Sequence, residues 1–337
     1  IRDRRYADAV RQLEVVTREQ PELAPPFLSL GALHLELKQA KQGEAALLRY
    51  VALAQARAST ATGAVGAAGA TAAGAASGAA SAAEGEDEED GATPDEQGLV
   101  QAWLMLAQAA EHRADYKAAE SWLARIDDPK RALEVQSRRA SLLARQGRLE
   151  EARVLIRNAP ESDPGDARAK LIAEASLLRD VKRWQDAYDV LATANQRFAD
   201  DSDLLYEQAM MAEKLNRLDD MERMLRRVIA LKPESAHAHN ALGYSLVDRS
   251  QRLAEARALI QRALELAPGD PFITDSLGWA EFRLGNAEEA LRLLRKAYAA
   301  RPDPEIAAHL GEVLWSVGQR DEARRVWRDA RTRDAAN

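Results

Sequence analysis

The chain contains no cysteine, so it can form neither a disulfide framework nor a thiolate metal site. That absence is compatible with the cytosol and the periplasm alike. Aromatics make up only 5% of the 337 residues, and β-branched residues are sparse, while alanine, leucine, arginine and glutamate dominate. Such a composition speaks against a sheet-rich fold and predicts an all-α protein. No run of 18 apolar residues occurs, so no stretch reads as a membrane-spanning helix. A basic stripe is missing too. Eight acids lie between residues 84 and 96 (Glu84, Glu86, Asp87, Glu88, Glu89, Asp90, Asp95 and Glu96), and removing them takes the formal net charge from −7 to +1. The remainder is nearly neutral and gives no footing for nucleic-acid binding.

Catalytic signatures are absent as well. The sequence has no nucleophile motif, phosphate loop or glycine-rich nucleotide fingerprint. Two of its five histidines, His237 and His239, stand two positions apart, which on a helix turns them to different faces rather than onto one metal. The expectation is therefore a non-enzymatic protein without cofactor or metal. The first residues, IRDRRYADAVRQLEVVTREQP, show no initiator methionine, apolar signal core or lipidation cysteine. They read as the second helix of a repeat whose first helix lies upstream, and the chain reads as a piece of a longer protein.

What the sequence has in abundance is repetition. The pairs Leu242-Gly243, Leu277-Gly278 and Leu310-Gly311 recur at steps of 35 and 33 residues. Each pair is followed by Ala256, Ala290 or Ala323, then by Ala263, Ala297 or Ala330, and the first two copies end in Pro268 and Pro302. The same small-residue position runs backwards through Met221, Ala187, Ala152 and Ala119 at steps of 33 to 35. Asp128-Pro129, Asp163-Pro164, Asp270-Pro271 and Asp303-Pro304 punctuate the boundaries, aspartate as N-cap and proline in the first helical turn. The glycines and alanines let paired helices approach closely, so a bulky replacement overpacks them. The predicted organisation is a half-repeat plus one repeat over 1–57, a disordered alanine/glycine-rich and acidic insertion over 58–96, and seven continuous repeats over 97–335.

A period near 34 with this order of Leu-Gly, Ala, Ala and Pro resembles the tetratricopeptide repeat (TPR). The resemblance implies an all-α, right-handed superhelical solenoid of about 8.5 helix-turn-helix units, with first helices on the concave face. Repeat positions 2, 5, 9, 12 and 13 face the groove in this family. Carried onto the last three repeats they are His237, Asn240, Tyr244, Val247 and Asp248; Phe272, Asp275, Trp279, Phe282 and Arg283; and Glu305, Ala308, Glu312, Trp315 and Ser316. An aromatic-rich groove of this kind suits a protein or peptide ligand. Trp279 and Trp315 are expected to be open in it, whereas Trp103, Trp122, Trp184 and Trp327 are expected at helix-pair seams. The TPR subtype that grips a C-terminal carboxylate is not matched. Asn240 fits one of its positions, but Tyr244, Phe272 and Ser276 stand where it needs polar or basic groups. Residues 203–330 resemble bacterial cell-envelope TPR proteins, in particular the lipoprotein adaptors of carboxyl-terminal processing proteases. That resemblance implies outer-membrane attachment in the periplasm, a processing protease and its cell-wall hydrolase substrates as partners, and an upstream lipid anchor. The alternatives are a cytoplasmic location, the accessory region of a truncated enzyme such as a glycosyltransferase, or an assembly factor of a secretion or polysaccharide-export machine.

Overall fold

The computed structural model describes residues 2–68, 94–161 and 164–334. Among these, α-helix is the only extended secondary structure. The chain divides into two compact units, Ile1–Ser162 and Asp163–Asn337. The division falls inside the stretch 97–335 that the repeat spacing treats as continuous.

The first unit holds α1 (Arg2–Glu19), α2 (Ala24–Glu36), α3 (Ala40–Ala68), α4 (Pro94–His112), α5 (Tyr116–Leu123), a 3-10 turn (Pro129–Arg131), α6 (Ala132–Arg145) and α7 (Leu149–Arg157). α1 packs on α2 as a single helix, and then α2 and α3, α4 and α5, and α6 and α7 form antiparallel pairs. α3 corrects the sequence reading. The repeat pattern closes the first full repeat at residue 57 and predicts a disordered insertion from residue 58. The helix instead continues to Ala68, and α4 begins at Pro94. Alanine at this density sustains helix through Gly63 and Gly66, although each glycine costs about 1 kcal/mol there. The rest of the expected insertion, 69–93, lies outside the described residues.

The second unit holds α8 (Pro164–Asp180), α9 (Trp184–Arg197), α10 (Ser202–Lys214), α11 (Leu218–Leu231), α12 (Ala236–Asp248), α13 (Leu253–Leu266), α14 (Pro271–Arg283), α15 (Ala287–Ala300), α16 (Pro304–Ser316) and α17 (Arg320–Asp334). Successive helices again pair, and each second helix also packs on the first helix of the following pair from α9 onward. The caps follow the sequence logic. Asp270 accepts from the backbone N–H groups of Phe272 and Ile273, and Asp303 from that of Glu305, with Pro271 and Pro304 in the first turn. Asp201 and Ser235 cap α10 and α12 in the same way.

One buried cluster runs from Ala209 to Ala330 through Leu225, Leu242, Leu246, Ile260, Ile273, Leu294, Leu310 and Leu314. The small residues set its tightness. A Cβ on Gly278 would lie 2.8 Å from Cγ of Leu294, and one on Gly243 would lie 2.6 Å from Cγ1 of Ile260. Neighbouring first helices (α12 with α14, α14 with α16) approach one another more closely than neighbouring second helices do. The first helices therefore line the inside of the bend within this unit.

On the outside, acids are tied to arginines. Glu222 accepts from Arg252 at 2.5 Å, Arg226 at 3.0 Å and Arg249 at 3.4 Å. The hydrogen bond from Arg252, helped by Arg226 and opposed by burial, draws its pKa from 4.5 to about 2. A carboxylate depressed in the folded state stabilises it above the unfolded pKa, and that contribution disappears as pH falls through the folded value. Between pH 4.5 and about 2, Glu222→Gln is therefore expected to flatten the acid limb of the unfolding curve. Urea midpoints across that range check it, and an unchanged slope counts against the arginine cluster as an acid-sensitive tie.

Candidate functional site

The inner face of α12, α14 and α16 carries the sequence-predicted site residues, and the structure treats them unequally. Trp279 is not open to a groove. It is only 6% exposed, stacked at 4.5 Å on His309, 5.3 Å from the ring of Phe282, and covered by the Arg283 guanidinium at 5.6 Å. The ring fills the seam between neighbouring repeats because His309, one position beyond Ala308, reaches back from α16 onto α14. Asp275 is buried for the same reason, 4% exposed with its Oδ2 accepting from His309 Nδ1 at 2.8 Å. Val247 is fully buried in the core. Phe282 is partly buried against the same core.

Other predicted residues keep surface. His237, Asp248, Glu305, Ala308, Glu312 and Ser316 are exposed, and Asn240, Tyr244 and Arg283 are half-buried. Phe272 is 37% exposed, with Arg301 over its ring at 4.9 Å. Trp315 is 39% exposed and lies towards α17, 5.9 Å from Trp327, with Arg320 and Arg324 over it at 5.1 and 5.5 Å. Trp103, Trp122 and Trp327 pack against buried clusters, and Trp184 is half-buried at the start of α9.

The structure adds one residue to the predicted set. His309 is 9% exposed and joins three first helices. Its Nε2 stands 3.3 Å from the Tyr244 hydroxyl of α12, which in turn reaches Glu305 Oε1 at 3.5 Å. Burial lowers the pKa of His309, but Asp275, through its hydrogen bond and charge, together with Glu305 and Glu312, outweighs burial and leaves it raised. An imidazolium uses both ring N–H groups, one towards Asp275 and one towards Tyr244. Burial first, and then Glu305, Asp248 and Asp275, push the Tyr244 hydroxyl up. The other histidine of interest, His239, is buried with Nδ1 on the Ser235 carbonyl at 2.9 Å, while His237 faces solvent.

The pairing of helices, the close Leu-Gly approaches and the inward first helices define the fold as an all-α solenoid of tetratricopeptide repeats. Residues 222–271 match the tetratricopeptide repeat family. The chain is 40% identical over 207 residues to the TPR repeat-containing protein PA4667 of Pseudomonas aeruginosa, a match that takes in 61% of this chain and 35% of that protein. The chain thus spans about a third of the length of this curated relative. Among solved structures, a tetratricopeptide repeat protein from Parabacteroides merdae aligns with a TM-score of 0.52 at 14% identity, over 69% of this chain and 93% of that one. A thermophilic TPR protein of Thermus thermophilus aligns with a TM-score of 0.44 at 22% identity, over 48% and 89% respectively. TPR arrays as a class serve as scaffolds for protein and peptide partners.

Proposed function

We propose that the chain is a non-enzymatic scaffold that holds a protein or peptide segment against the inner face of α12, α14 and α16. The observation that carries this reading is the exposure of Phe272 on α14 and of Trp315 on α16, each beside arginine, Trp315 on the side of its helix that meets α17. Half-exposed aromatics beside guanidinium groups are the residue types that dominate binding energy at protein interfaces. The partner we favour is a carboxyl-terminal processing protease, to which the scaffold delivers cell-wall hydrolases in the periplasm from an outer-membrane attachment. That part rests on the resemblance of residues 203–330 alone.

The test is capture of a purified carboxyl-terminal processing protease by the immobilised chain. Phe272→Ala combined with Trp315→Ala is expected to weaken capture about 30-fold or more, as for a lost pair of interface hot spots. Helicity should be unchanged, because both rings are substantially exposed. Undiminished capture by the double variant removes this face from consideration. Failure of the unsubstituted chain to bind removes the protease assignment.

A further inference from the structure

The acids of the second unit fall into two groups. On the second helices most are paired: Glu222, Glu255, Glu289 and Glu322 each meet an arginine at 3.0 Å or closer. On the inner face Asp248, Glu305 and Glu312 stand exposed with no arginine or lysine partner among the described residues, and Asp275 there meets only His309. Asp275 touches His309 at 2.8 Å and Glu305 touches Tyr244 at 3.5 Å, while Asp248 and Glu312 stand on α12 and α16, the helices that carry Tyr244 and His309. Arginines do flank the face, without pairing to these acids. Arg283 donates to the Ser250 hydroxyl and lies over Trp279, and Arg301 lies over Phe272.

A second observation concerns unmet hydrogen bonds, two of them on the uncharged side chains of Asn240 and Trp279. Three buried polar atoms on α12 and α14 have no hydrogen-bond partner among the described residues: the acceptors Asn240 Oδ1 and Asp275 Oδ1, and the donor Trp279 Nε1. A buried polar group left unmet costs roughly 1–3 kcal/mol, so each such group calls for a partner. Asn240 and Asp275 hold the same register position in successive repeats, and Trp279 lies one turn further along α14. The unmet set is complementary to a ligand that brings N–H donors together with a carbonyl. An anion would leave both acceptors unmet and add repulsion, and an apolar helix would meet none of the three.

We infer that the occupant of this face is a lysine- or arginine-bearing peptide segment. Its cationic side chain sits among Asp248, Glu305 and Glu312 and reaches Asp275 Oδ1, while a backbone carbonyl of the segment takes the Trp279 indole N–H. Entry to the buried atoms needs the face to open; turning Tyr244 aside gives up its contacts to His309 and Glu305 at 3.3 and 3.5 Å and part of its packing on the core. This inference rests on the reading of the inner face as a peptide-binding surface and supplies the charge of the peptide.

The test uses the full chain and three short fluorescent peptides, acetylated and amidated at their ends, identical except for lysine, glutamine or glutamate at alternate positions. Fluorescence anisotropy should show the lysine peptide binding roughly tenfold more tightly than the glutamine peptide, and the glutamate peptide weakest. Glu305→Gln with Glu312→Gln should erase that preference. Glu288→Gln with Asp329→Asn removes the same charge from exposed positions on α15 and α17 and should leave the preference intact. Equal affinity for lysine and glutamine peptides overturns the inference, as does a lysine preference that survives the inner-face variant or falls equally in the control. Absence of binding by all three peptides also overturns it. In each of those cases the protease-capture test separately decides whether the face binds a partner of another chemistry.

Discussion

Gly243→Leu is expected to separate α12 from α13 and to unfold that helix pair before the rest of the second unit. Two effects oppose each other at this position. Leucine is the better helix former, by about 1 kcal/mol in a helix interior. Against that, a Cβ on Gly243 already meets Cγ1 of Ile260 at 2.6 Å and the Ala256 carbonyl oxygen at 2.9 Å. Ile260 is fully buried and the carbonyl belongs to helix backbone, so neither can retreat. Interiors are packed as densely as organic crystals, and overpacking of this kind costs typically 1–3 kcal/mol and occasionally more. A whole leucine side chain in place of a hydrogen belongs at the top of that range, so the steric term wins by about 2 kcal/mol. Because repeats are stabilised by their neighbours, the loss should appear locally as faster amide exchange in α12 and α13, and globally as a lower urea midpoint. Ala308→Leu, on the exposed side of α16, serves as the comparison and should stay within about 0.5 kcal/mol. Gly311→Leu should do less damage than Gly243→Leu, since its close neighbour is the half-buried indole of Trp327, which can rotate towards solvent. If Gly243→Leu melts like the unsubstituted chain, the helices are not as close as their small residues imply.

This contrast shows why the fold was legible in the sequence. Leu-Gly, Ala and Pro recur at fixed spacing because each has a backbone or packing reason to be there. Gly243 and Gly278 admit a neighbouring side chain, Asp270 and Asp303 cap a helix, and Pro271 and Pro304 start one. Such constraints act within one repeat and repeat with it. The end of α3 was not legible, because an alanine-rich run with interspersed glycine has no tertiary marker to say where helix stops.

The candidate site was legible only in part. Family positions assign Tyr244, Asp275 and Trp279 to the groove, and in the structure Tyr244 is half-buried while Asp275 and Trp279 are buried in the seam between repeats. They do not reveal which of these face solvent, because that depends on what the next repeat presents. His309 decides it: from α16 it stacks on Trp279 and binds Asp275 of α14. The corresponding positions in the two preceding repeats are Ser276 and Ala241, so no periodic signal marks it. The sequence signal that existed was a lone histidine immediately before a Leu-Gly pair, a position where the other two clear copies carry Ser and Ala. Departures from a repeat, rather than the repeat itself, are where the chemistry of this chain is concentrated.

His309→Leu is accordingly expected to be among the most destabilising single changes in the second unit. Removing the imidazole leaves Asp275 a buried carboxylate without its one donor, since its other oxygen is already unmet. Breaking a buried pair from one side costs about 3–5 kcal/mol, and loss of the ring stacked on Trp279 adds about 0.5–1.5 kcal/mol. Adding Asp275→Leu should restore much of the loss, because replacing both partners of a buried pair by apolar groups is often close to neutral. A double-mutant cycle by urea denaturation measures the coupling, and additive effects of the two changes would show that the pair does not act as a unit. The pH dependence has a definite sign. Asp275, Glu305 and Glu312 together overcome burial and raise the folded pKa of His309, with the Tyr244 hydroxyl on its other nitrogen. A histidine raised on folding stabilises fully below its unfolded value of about 6.5, and that contribution is lost as pH rises through the folded value. The second unit should therefore weaken as the pH climbs above about 6.5, and His309→Leu should lack that decline. An imidazole titration followed by NMR locates the midpoint directly. A midpoint at or below the ordinary histidine value would mean that burial, rather than the ring of carboxylates, controls this residue.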